Sequence, residues 1–181
     1  VIALEQALEI QPGWTPPILK LLEVHDREGK FEECRRLAER AAAREPLEAV
    51  PHGYLAEALW KLGEKDPALK SLERAVSLDP SYAWAWDRLA EWAPAFGRTD
   101  LGVELAREIT RRRGGEARSW LILARSLCVS GPDEALGAAE RAAALDPRNI
   151  DAHDLRAEIL AEQGRFAEAI EACRPPAWGD D

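Results

Sequence analysis

Two carboxylate pairs, Asp87/Glu91 and Asp154/Glu158, stand four residues apart in stretches of helical spacing, so each pair shares one helix face. Such a pair could hold a cation. With no further ligand at matching spacing, it reads as a like-charge pair on a solvated face. His52 and His153 recur at a position that elsewhere carries Trp86 and Trp120, which points to burial rather than chemistry, and His25 lies on a comparable stretch. There is no Cys/His or Ser/His arrangement, no glycine-rich phosphate loop and no metal-ligand spacing. The expectation is a chain that is not an enzyme, with no catalytic residues, no metal and no cofactor.

Composition narrows the classes further. The chain has 181 residues, 46% of them hydrophobic and 31% charged, which suits a folded chain rather than a disordered one. No apolar run approaches the roughly 18 residues of a membrane span, so no membrane partner is expected. A net charge of −9 argues against nucleic acid, whose recognition leans on clustered Lys and Arg. The one basic run, Arg111-Arg112-Arg113, ends a predicted helix, where it complements the helix dipole. Cys34, Cys128 and Cys173 are scattered and odd in number, with no disulfide framework, which suggests a reducing, cytoplasmic setting. The chain starts at Val1 and contains no methionine, and so reads as a fragment of something longer.

The elements that would carry these groups repeat. Gly29, Gly63, Gly97, Gly131 and Gly164 lie 34, 34, 34 and 33 residues apart, each followed by small and apolar residues at helical spacing. In Gly63–Pro80 these are Ala68, Leu72, Ala75 and Val76, closed by Asp79-Pro80. A fixed period of this size marks stacked supersecondary units. The units run 15–48, 49–82, 83–116, 117–149 and 150–174, each a pair of helices. Residues 1–12 form a partial repeat and 175–181 a tail, with Pro175-Pro176 halting the last helix. Thr15-Pro16 and Asp66-Pro67 both read as a cap followed by a first-turn proline. Pro94 should shorten the helix that holds it. Gly114-Gly115, in place of the usual Asp-Pro corner, should make the softest joint.

The spacing resembles the tetratricopeptide repeat. With repeats beginning at Thr15, Ala49, Ala83, Ala117 and Ile150, the fourth position holds Ile18, His52, Trp86, Trp120 and His153. The seventh holds Leu21, Leu55, Leu89, Leu123 and Arg156, and the eighth Leu22, Ala56, Ala90, Ala124 and Ala157. Arg156 departs from the pattern; its stem should cover apolar surface while its charge reaches water. The resemblance spans nearly the whole chain. It implies an all-α fold, a right-handed α-α superhelix (solenoid) of about five helix-turn-helix repeats, whose first helices line a concave groove.

The resemblance also implies a function: a non-catalytic protein–protein interaction module that grips a peptide or protein segment. The groove positions it assigns are Glu23, Asp26 and Arg27, then Tyr54, Glu57, Trp60 and Lys61, then Tyr82, Trp84, Asp87, Arg88 and Glu91, with Arg118 and Arg125 further on. Aromatic anchors among carboxylates favour a partner with apolar or proline anchors and some Lys or Arg. Trp60 and Trp84 packing against neighbouring helices is the alternative use of those rings. The Lys/Asn clamp that some members use for a C-terminal carboxylate is absent, since the corresponding positions hold Leu19/Glu23, Gly53/Glu57 and Asp87/Glu91. Two other functions compete: self-association into a homo-oligomer through open solenoid ends, and a substrate-recruiting arm of a larger enzyme such as a glycosyltransferase.

Overall fold

A computed structural model of the chain describes residues 2–11 and 15–174. Among these residues there are eleven α-helices, one 3-10 turn and no strand. The ends of the expected partial repeat, residues 1 and 12, and the expected tail at 175–181 with its Pro175-Pro176 stop lie outside the described residues. The chain divides into two compact units, Val1–Thr99 and Asp100–Asp181, a boundary that falls between the two helices of the third repeat.

The first unit contains α1 (Ile2–Ile10), α2 (Thr15–Arg27), α3 (Phe31–Arg44), α4 (Ala49–Lys61), α5 (Lys65–Leu78), α6 (Ala83–Trp92) and the 3-10 turn Pro94–Phe96. Gly63 shows how the pairs are made. It sits at φ +87°, a conformation that costs a side-chain-bearing residue energy but not glycine. That lets the Glu64 N–H reach Leu59 O at 2.9 Å and its own N–H reach Trp60 O at 3.1 Å, satisfying the last carbonyls of α4. The chain re-enters a helix at once, so α5 begins at Lys65. Asp66-Pro67 therefore lies within its first turn and is not a cap; the cap position is Glu64, without a side-chain bond. Pro94 has the effect expected of it: α6 stops at Trp92, and the 3-10 turn that follows ends in the left-handed Gly97.

Between the helices lies a core of Leu8, Ile18, Leu21, Leu22, Cys34, Ala38, Ala41 and Ala58. Ala38 and Ala41 are fully buried, as are Ala56, Ala68 and Ala75 in the next pair. Small side chains there let helix axes approach, and a neighbouring pair supplies the apolar surface that one pair lacks.

The second unit contains α7 (Leu101–Arg112), α8 (Ala117–Leu127), α9 (Pro132–Leu145), α10 (Ile150–Glu162) and α11 (Phe166–Ala172). Ala124, Ala135, Ala139 and Ala142 are fully buried and repeat the small-residue packing of the first unit. Arg156 is half-buried, its Nε 4.0 Å from Glu140 Oε1. Asn149 caps α10 by accepting from Ala152 N at 3.1 Å.

One device ties the corners between repeats. Trp86 Nε1 donates to Pro80 O at 3.1 Å, and Trp120 Nε1 donates to Gly114 O at 2.8 Å. His153 Nε2 lies 3.1 Å from Pro147 O, which requires the tautomer with its proton on Nε2. Each ring reaches a carbonyl six residues upstream. At the remaining corner the Pro46 carbonyl accepts from Arg74 Nη2 at 3.2 Å and also faces the His52 ring, whose buried Nε2 makes no well-aligned hydrogen bond. Burial, then the Arg74 charge, lowers the His52 pKa. The Gly114-Gly115 corner is thus tied like the Asp79-Pro80 corner, and neither glycine has positive φ. A Cβ at Gly115 would meet nothing within 4 Å. Gly115→Ala should therefore stabilise the second unit, by about 0.4–1 kcal/mol, through the unfolded chain, as read by urea denaturation.

Candidate functional site

Most of the residues expected to line a groove belong to the first unit. Gly53 and Tyr54 come from α4, and Tyr82 precedes α6. A Cβ on Gly53 would stand 2.5 Å from the Tyr82 hydroxyl, so the absence of a side chain is what lets the Tyr82 ring lie across α4. From there the rings continue. Tyr82 lies 5.7 Å from Trp84 at 29°, and Trp84 meets Trp92 edge-on at 6.4 Å and 89°. Trp92 stacks on Trp60 at 4.2 Å and 6°, and Trp60 meets Phe96 edge-on at 5.7 Å. Five rings therefore form one continuous run between α4 and α6. Each contact contributes about 0.5–1.5 kcal/mol beyond the area it buries.

Trp60 is the centre of this run, and both its faces are used. Lys65 Nζ sits 3.8 Å from the ring centroid and donates to Trp60 O at 2.6 Å. Trp92 stacks at 4.2 Å, and two groups this close cannot share a face, so lysine and indole lie on opposite sides. Both faces of Trp60 are thus covered, and Phe96 meets it edge-on. Trp84 and Tyr82 are half-buried, and Phe96 is 43% exposed.

The charges around the rings are largely settled within helices. Lys20 Nζ lies 2.6 Å from Glu23 and Arg27 Nη2 3.8 Å from the same carboxylate. Lys61 pairs with Glu57 at 3.6 Å and Arg88 with Glu91 at 2.7 Å. Asp26 and Asp87 are exposed and make no ion pair among the described residues. Arg118 and Arg125 are exposed on α8, in the second unit. Phe96 and Lys65 were not marked by the sequence. Phe96 lies beside a proline that diverts the chain, and Lys65 carried no signal beyond an ordinary surface lysine.

Burial sets the titration of the two tyrosines here. Burial pushes the Tyr82 phenol up to about 12, with the neighbouring Tyr54 adding to the shift. Tyr54 is raised by burial first and then by the Glu23 and Asp26 charges. Burial also raises the Cys34 thiol to about 11, with Asp26 and Glu33 adding. A raised pKa means that the fold favours the protonated form. The Tyr82 contribution is thus fully present below its ordinary 10.0 and is lost as pH rises through about 12. Denaturation of the first unit should require less urea at pH 11 than at pH 8, and Tyr82→Phe should reduce that difference. An equal loss in the variant would show that Tyr82 is not the source.

Among the described residues, no group of three or more His, Cys, Asp or Glu could hold a metal, and no helix is long and apolar enough to cross a membrane. Helix pairs with buried alanines, glycine turns and tied corners define an all-α helical-repeat protein. Two tetratricopeptide repeat models match, over residues 50–92 and 129–177, and the chain belongs to the tetratricopeptide repeat family. That membership supports a protein–protein interaction module as its general role; repeats of this family are generally non-catalytic. No curated protein matches. Among solved structures, MamA (residues 41 to end) from Desulfovibrio magneticus RS-1 is 19% identical, with a TM-score of 0.52 over 86% of this chain and 88% of that one. YrrB, described as a TPR protein with an unusual peptide-binding site, is 15% identical, with a TM-score of 0.53 over 94% and 88%. At these identities the likeness is one of fold.

Proposed function

We infer that this chain binds an extended peptide segment along the face built by α2, α4 and α6. The observation that carries this reading is the continuous run of rings from Tyr82 to Phe96, on a face whose Asp26 and Asp87 make no ion pair among the described residues. Half-buried aromatic rings give large contact area at low entropic cost, and they are the usual anchors of protein interfaces. Asp87 stands one helical turn from Trp84, so a partner residue seated on that indole would place a neighbouring Lys or Arg near the carboxylate. Proline or an aliphatic side chain suits the Trp84 ring, and basic residues suit Asp26 and Asp87. Because Glu23, Glu57 and Glu91 are already paired, specificity comes from the rings and these two acids rather than from overall negative charge.

The test is fluorescence anisotropy with a library of labelled peptides carrying proline or aliphatic residues beside Lys or Arg. Trp84→Ala should weaken the best ligand about 30-fold or more, the size of an interface hot spot. Asp87→Lys should weaken basic ligands about tenfold, with a flatter dependence on salt. Ligands held equally by both variants would place binding elsewhere.

A further inference from the structure

The first unit also holds a concavity that shares no residue with the ring run. A cavity of about 450 Å³ opens between α1, α2 and α3. Its apolar lining is Leu8, Leu21 and Leu37, and the nine-tenths-buried His25 is the most buried polar group among its lining residues. Its walls carry opposite charge. Glu5 and Glu9 are one turn apart on α1; Arg36 and Arg40 are one turn apart on α3. Glu33 takes Arg36 Nη2 at 3.3 Å, whereas Glu9 and Arg40 make no ion pair among the described residues. Unlike charges on two walls that do not close onto each other leave a gap wider than an ion pair, lined with leucine.

We propose that this cavity binds a short zwitterionic aliphatic peptide. Its ammonium meets Glu5 and Glu9, its carboxylate is held by the guanidinium groups of Arg36 and Arg40, and its side chains cover Leu8, Leu21 and Leu37. The volume lies in the range of small-ligand sites, and an extended dipeptide reaches at most about 7 Å. A simple anion would meet three carboxylates and a metal ion two guanidiniums, so neither suits these walls. A free amino acid carries both charges on one carbon, so it spans less than a dipeptide and serves as the control for reach. This site is independent of the peptide-binding face, and either can fail without the other.

Isothermal titration of the whole chain with the dipeptide Leu-Leu tests it. Leu-Leu should give saturable binding. N-acetyl-Leu-Leu, Leu-Leu-amide and free leucine should each bind about tenfold or more weakly. Glu9→Gln should shrink the penalty for blocking the amine, and Arg40→Ala the penalty for blocking the carboxylate; both residues are exposed, so thermal melts should show the fold retained. Trp84→Ala should leave Leu-Leu binding unchanged. No saturable heat up to millimolar Leu-Leu, or blocked dipeptides binding as tightly as the free one, would overturn the proposal.

Discussion

Trp92→Ala should cost the first unit about 3–5 kcal/mol, the range for removing a buried large aromatic side chain. Trp92 is 3% exposed and is the ring on which the run turns, stacked on Trp60 at 4.2 Å and edge-on to Trp84 at 6.4 Å. Its removal leaves a cavity and frees one face of Trp60, so the loss combines burial with ring contacts. For a unit of this size the midpoint of thermal unfolding should fall by more than about 12 °C. The parallel Trp60–Trp92 pair should also give an exciton signal in far-ultraviolet circular dichroism that disappears in the variant. Trp92→Phe keeps a ring and should recover part of the stability. A loss below about 1 kcal/mol for Trp92→Ala would mean that the stack is not a structural element.

At Trp120 the comparison between two substitutions separates packing from the corner tie. Trp120→Phe removes the Nε1–H and leaves Gly114 O without the partner it holds at 2.8 Å, a loss of about 1 kcal/mol. Trp120→Ala removes the ring as well and should cost about 3 kcal/mol. Thr110 is buried beside the same corner, its hydroxyl 2.8 Å from Ala106 O and 3.1 Å from Ser119 O, so the glycines are bracketed on both sides. Amide exchange at residues 114–116 should be as slow as at the Asp79-Pro80 corner in the native chain and should accelerate in Trp120→Phe. Fast exchange in the native chain would mean that backbone freedom, not the side-chain tie, governs the joint.

Much of this could be read from the residues, and the failures have physical causes. Gly29, Gly63, Gly97 and Gly164 mark their turns because only glycine takes positive φ without strain; Gly131, at the same spacing, has φ −156° and simply precedes α9. The ion pairs that quiet Glu23, Glu57 and Glu91 come from neighbours three or four residues away and are legible as such. The contacts of Trp60 are not. Trp92 is distant in sequence, and Lys65 reaches the ring only because the left-handed Gly63 turns α5 back toward it.

The spacing of glycines, alanines and large apolar residues by itself determined the helix pairs and the family, because backbone conformation and close packing act locally and repeat with the chain. The tertiary structure alone decided which faces of those residues remain open. Ring contacts and wall charges depend on where separate helices come to rest, and that left both faces of Trp60 covered, Asp26 and Asp87 without an ion pair among the described residues, and a cavity between α1, α2 and α3.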